Sequence, residues 1–289
     1  MVKDINLQKR IFKNKLLFIF VCVFSGLTAI PLFAILGEVL IKGWKQLNWT
    51  FLTEATPNAY SAMLAMANGD PVPGGIANGI VGTFLMLVMA AVVAIPVGIF
   101  CGICLSEFRG KWFATVVSYL TDLLQGTPSI IIGIITYIWV VVPMKGYSAL
   151  AGSVALFIMM LPLIIRSTEE TMKILPETLK EAGLALGGSY WRVMLQVMLP
   201  SAFGSIFTGI LLAISRVVGE TAPLMFTALG GAAISWNVSR PMSAVPLMIW
   251  EFFNDPNLQS LIWGASLFLL TFVLCLNLLA KRIQKKWKI

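Results

Sequence analysis

The sequence predicts an all-α, polytopic membrane protein of six transmembrane helices. Three observations carry that expectation: an extreme apolar composition, six apolar runs of membrane-crossing length, and a one-sided distribution of basic residues. Of 289 residues, 58% are hydrophobic and 12% charged, with a mean hydropathy of +0.88, whereas ordinary soluble domains carry about 25% charged residues. A soluble globule of this composition would expose more apolar surface than one core can hide.

A bilayer core about 30 Å thick needs roughly 20 apolar residues in a helix. The first run, 16–40, is longer than a signal peptide, so it is read as a true span. The second, 80–105, contains Gly98-x-x-x-Gly102, a spacing that permits close helix approach. The third, 113–142, is interrupted at Gly126-Thr127-Pro128. The fourth, fifth and sixth are 149–166, 202–226 and 261–279.

Charge orients these spans. The first tail carries Lys3, Lys9, Arg10, Lys13 and Lys15, and the last carries Lys281, Arg282, Lys285, Lys286 and Lys288. Loops on the same side add Arg109, Lys111, Arg166, Lys173, Lys180 and Arg192, making sixteen of the 21 basic residues. Lys42, Lys45, Lys145 and Arg240 lie opposite, and Arg216 falls inside a span. Basic residues mark the cytoplasmic face, so both termini are expected there, and the net charge of +8 needs no nucleic acid.

The absence of histidine excludes histidine-based metal sites and Ser-His-Asp chemistry. Cys22, Cys101, Cys104 and Cys275 all lie in apolar runs. Cys101-x-x-Cys104 admits a redox reading, with small packing residues as the plainer one. Outside, Trp44, Trp49 and Phe51 precede a Gly/Pro-rich run, 69–75, and Trp236, Trp250, Phe252 and Phe253 occupy a second long segment. Both suit an interfacial aromatic belt or an extracytoplasmic partner.

The inner connection 167–199 differs from the other loops. Pro176 suits the first turn of a helix, with Glu177 and Glu181 near its positive end, and Gly187-Gly188 separates two short helices. Within it, Glu181-Ala182-Gly183, three residues, Gly187, nine residues, Val197, one residue, Leu199-Pro200 resembles the E-A-A-x3-G-x9-I-x-L-P loop of type I ABC-transporter permeases. Gly183 and Val197 depart from that pattern, and Gly183 weakens the helix slightly. The segment Arg216-Val217-Val218-Gly219-Glu220-Thr221-Ala222-Pro223 is similar to the R-x-x-G-E-T-A-P element of phosphate permeases. Gly126-Thr127-Pro128-Ser129-Ile130 resembles their G-x-P-S-I element, and Gly74-Gly75-Ile76-Ala77-Asn78-Gly79-Ile80 points to the PstA type.

The resemblance implies a type I ABC importer permease fold. Its five-helix transmembrane domain would cover 76–282, after an amino-terminal region 1–75 and before a basic tail 283–289. It also implies a docking loop for a cytoplasmic ATPase, carried by Glu181, Ala182, Gly183, Gly187 and Pro200. The partners implied are a PstC-type permease, two ATPase copies, an extracytoplasmic phosphate-binding protein and membrane lipids. No G-x-x-x-x-G-K-[ST] loop is present, so no cofactor is expected on this chain and ATP-Mg would sit on the partner ATPase.

Phosphate is costly to desolvate, and arginine offers a fork that fits its oxygens. Arg216, about 21 Å into the fifth span at 1.5 Å per residue, is therefore the candidate path cation, because intramembrane charge is functional by default. Glu220 at i+4 would share its face and pair with it, with a fixed structural ion pair as the alternative. Thr221, Thr127 and Ser129 complete the candidate path. The hydroxyls beside Pro128 serve either phosphate or freed carbonyls. Asp122 would repel phosphate and is expected to pair with an arginine on a neighbouring helix. Competing readings are a permease for phosphonate, sulfate or molybdate, a gradient-driven secondary transporter, and a membrane enzyme. The last two suit this chain poorly, since it shows no internal repeat and its acidic groups are scattered.

Overall fold

The computed structural model describes residues 2–286, so Lys288 of the basic tail lies outside the described residues. The chain folds into helices α1 (Val2–Trp44), α2 (Trp49–Thr53), α3 (Ala59–Asn68), α4 (Ala77–Glu107), α5 (Trp112–Gly126), α6 (Ser129–Thr136) and α7 (Val142–Met144). They are followed by α8 (Ala149–Ile174), α9 (Glu177–Ala185), α10 (Tyr190–Val193), α11 (Leu199–Val217), α12 (Ala222–Met225), α13 (Val245–Asn254) and α14 (Ile262–Lys286). A π-turn at Met194–Met198 fuses α10 and α11 into one helix, Tyr190–Val217.

Among the described residues five helices are long and apolar enough to cross a membrane, and α5 with α6–α7, bent by 104° between them, meets the same length and composition only as a pair. The bend lies at the predicted interruption: Pro128 has no N–H to continue the helix, and Thr127 before it is extended, at φ −74° and ψ 131°. Gly43 at the end of α1 packs on Trp263 and Leu267 at the start of α14. These two helices are therefore antiparallel, and both chain termini leave at one end, here the basic end.

The core is a seam of α4, α8 and α11. A Cβ added at Gly98 would lie 2.6 Å from Ile164 Cγ2, and one at Gly102 would lie 2.6 Å from Thr168 Cβ. The glycine pair thus lets α4 sit directly on α8. Met86, Met160, Ile164 and Met194 are fully buried along this seam. Because lipid is as apolar as these side chains, close packing rather than water exclusion holds the seam. By contrast α1 touches the rest of the protein chiefly through α14, and its membrane-length window is exposed all round.

Opposite the basic end, the connecting segments form a folded cap. Asn78 accepts from the N–H and Oγ1 of Thr56, at 3.2 and 3.0 Å, and donates to the Gly231 carbonyl at 2.8 Å. The Val245 N–H reaches Thr83 Oγ1 at 2.9 Å, tying α13 to α4. Phe51 and Phe252, expected in an interfacial belt, are core residues at 3% and 0% exposure. Their segments fold back over α4 instead of lying on the membrane surface. Trp44, Trp49 and Trp236 are exposed, as a belt requires.

Two boundaries of the inner connection move. The fourth helix runs on to Ile174, and the fifth begins at Tyr190, so the true loop is residues 175–189. Helix-forming residues continue both helices past the apolar windows that marked the spans. The second short helix expected after Gly187-Gly188 is therefore the first turns of Tyr190–Val217.

Candidate functional site

The two segments singled out around prolines do meet. Gly133 of α6 lies against α12, where an added Cβ would fall 2.8 Å from Pro223 Cα. The Gly126–Ile130 and Arg216–Pro223 elements therefore flank one helix contact. The geometry of the individual residues differs from expectation in three respects.

First, Arg216, expected well inside the fifth span and somewhat beyond its midplane, lies at the end of its helix. It stands in the last turn of Tyr190–Val217, about 39 Å from the start of that helix at 1.5 Å per residue, and is exposed. A cation there also suits the negative end of the helix dipole. Second, Glu220 does not share a helical face with it. The helix stops at Val217 and turns at Gly219, and no ion pair within 4.0 Å joins the two among the described residues. Glu220 is half-buried and Arg216 is left open. Third, two of the three hydroxyls are engaged. Thr127 Oγ1 donates to the Leu123 carbonyl at 2.6 Å, which is left open at the helix end because the Thr127 N–H turns to the Leu124 carbonyl. Thr221 Oγ1 makes a long contact, 3.5 Å, with the Pro246 carbonyl. The Ser129 hydroxyl, in the first turn of α6, has no hydrogen-bond partner among the described residues.

Asp122 finds the arginine expected for it. Arg166 of α8 donates through Nε to Asp122 Oδ1 at 2.9 Å and through Nη1 to Glu169 Oε2 at 2.6 Å. Its Nη2 reaches the Ser118 carbonyl and hydroxyl at 3.0 and 2.7 Å. Glu169 also takes the Lys173 ammonium at 2.6 Å. This guanidinium was read as a loop charge, because the helix-forming residues after 166 gave no apolar signal.

At the basic end, α9 projects without a single buried residue. Glu181 and Ala182 are exposed. Gly187, at φ +81°, reverses the chain after α9, as a glycine following a helix does, with its N–H on the Leu184 carbonyl. Gly183 lies on Val193, where an added Cβ would come 2.8 Å from Cγ1. The smaller residue thus lets α9 close on the start of the fifth helix, which offsets its low helix propensity. Pro200 lies in that helix just after the π-turn and is exposed. The Lys180 ammonium pairs with Glu107, the last residue of α4, and lies 5.1 Å from the Tyr190 ring centroid. Nothing in local sequence spacing announces this pair, 73 residues apart.

The cysteines Cys101 and Cys104 are free and half-buried.

Comparison with known proteins agrees with this architecture. The profile of the family described as binding-protein-dependent transport system inner membrane component matches residues 94–289. The PstA phosphate transport system permease of Yersinia pestis is 38% identical over 88% of this chain and 84% of its own. That of Pasteurella multocida is 36% identical over 93% of both chains. In structure, an inward-facing form of the MetNI methionine ABC transporter superposes with a TM-score of 0.57, covering 73% of this chain and 94% of that one at 18% identity. At that identity the likeness is one of fold.

Proposed function

From the premise that this chain belongs to the binding-protein-dependent transport system inner membrane component family, a multi-pass membrane family, and groups with its PstA phosphate permeases, we propose that it is the transmembrane subunit of an ATP-driven importer of inorganic phosphate. The observation that carries the phosphate assignment is the identity to PstA permeases along nearly the whole chain. In this reading the basic end faces the cytoplasm, and α9, none of whose residues is buried, is the element offered to a separate ATPase that holds ATP-Mg. A homologous permease of PstC type forms the other half of the path, lipids surround the pair, and an extracytoplasmic binding protein delivers phosphate to the cap. The transmembrane domain starts at about residue 76, where the cap hands over to α4.

Arg216 supplies the cation of the path. Its exposed guanidinium has donors free for phosphate oxygens, and Ser129 offers a free hydroxyl. Glu220, Thr221 and Thr127 shape the surroundings: one half-buried carboxylate and two hydroxyls already turned to carbonyls. Glu181, Ala182, Gly183, Gly187 and Pro200 build and hold the coupling segment.

The test is reconstitution in liposomes with a PstC-type permease, the ATPase and the binding protein. Labelled phosphate uptake that requires ATP and all partners, and resists excess sulfate, molybdate or phosphonate, supports the proposal. Uptake driven by an ion gradient without ATP refutes it, and competition by another oxyanion reassigns the substrate.

A further inference from the structure

We propose that Lys180 and Glu107 form a strut through which motion of α9 is passed into α4, and so to the cap at the far end of the molecule. The proposal rests on the ATP-coupled reading above and names positioning residues for it.

Three helices hold α9. It follows α8 directly in the chain, through Leu175-Pro176. It packs on the start of the fifth helix through Gly183 and Val193. Among the described residues its ion pair to α4 is Lys180 to Glu107, with side-chain exposures of 27% and 16%. A cavity of about 400 Å³ lies beneath α9, lined by Glu107, Arg109, Lys173, Glu177, Lys180 and Glu181 among others. Across this space the Lys180–Glu107 pair is the polar link between α9 and α4, beside apolar lining from Met172, Leu175, Leu184 and Met198. Tyr190 supports it from the third side, its ring under the Lys180 ammonium.

Helix α4 is suited to carry a displacement. From Glu107 to Asn78 it is a continuous helix, about 44 Å at 1.5 Å per residue. It ends at the residue that ties Thr56 to Gly231 in the cap. Its last third, after Pro96, is seated on α8 by Gly98 and Gly102, so a push on Glu107 acts close to that seam and moves α4 lengthwise or about it. Without the pair, α9 would act on α4 only through α8, on which α4 is packed, and the Glu107 end of α4 would have no ion pair to α9. Loss of one partner should therefore separate ATP hydrolysis from transport, not abolish either alone.

The experiment uses the complete reconstituted complex, with inorganic phosphate as the transported species, and measures phosphate moved per ATP hydrolysed. Lys180→Met and Glu107→Gln are each expected to lower this ratio about tenfold, in the range of a single energetic coupling, while the ATPase stays bound. The charge swap Lys180→Glu with Glu107→Lys should bring the ratio back to within about twofold of the native complex. An unchanged ratio in both single variants overturns the proposal. So does a swap that restores nothing, or single variants that no longer retain the ATPase on pull-down, which would make the pair a docking element. A native complex whose uptake ignores ATP instead defeats the functional reading itself.

Discussion

Arg166 and Arg216 are both guanidiniums on long apolar helices, in opposite circumstances. Arg166 spends its donors on Asp122, Glu169 and Ser118 and joins α5 to α8. Arg216 stands at a helix end, exposed, with no carboxylate within ion-pair distance among the described residues. A saturated cation builds structure, whereas an unsaturated one has capacity left for a ligand. The contrast identifies which arginine is available to an anion better than depth in the membrane does.

The comparison breaks first on Arg216→Gln. Loss of charge-assisted bonds to the anion, together about 3 kcal/mol, should lower phosphate uptake about a hundredfold, with thermal stability in detergent unchanged. Transport that survives this change would remove Arg216 from the path. Arg166→Gln should do the converse. It leaves Glu169, whose side chain is 6% exposed, with Lys173 alone, at a cost of about 2–3 kcal/mol after allowing for partial exposure. This should be read as a lower unfolding temperature and a smaller yield of folded protein. Arg166→Gln combined with Asp122→Asn and Glu169→Gln should recover roughly half of that loss, since no carboxylate is then stranded. Asp122→Asn alone, at a side chain 57% exposed, should cost no more than about 1 kcal/mol.

A pH dependence of stability comes from the cap. Outside the spans, burial raises the Glu251 carboxyl above its ordinary value of 4.5, opposed by a hydrogen bond from the Ser243 hydroxyl. The folded chain holds this proton more tightly than the unfolded one. The contribution is therefore complete below pH 4.5 and is lost as pH rises through the raised value. Glu251→Gln should flatten that part of the stability profile, the smallest effect expected.

Composition and apolar windows were enough to find the five long helices and the broken pair at Pro128, and Gly187 and the spacing around Glu181 located α9. Asp122 could be matched to an unknown arginine because an isolated carboxylate in a span demands one. What a bilayer-length window does not reveal is where a helix continues beyond it. That hid the start of the fifth helix at Tyr190 and so misplaced Arg216. Pairing across 73 residues, as in Lys180 and Glu107, leaves no periodic trace. Phe51 and Phe252 looked like belt residues because their flanks are polar, and only the folding of the cap onto α4 buries them.

The 104° bend between α5 and α6 has an electrical consequence. A groove of about 760 Å³ opens there beside Tyr119, Asp122, Gly126 and Pro128. Were water to fill it, an ion crossing beside the bend would face a shorter low-dielectric stretch than the roughly 30 Å of intact hydrocarbon. The broken helix would then lower the self-energy barrier for a passing charge before a single side chain had bound it.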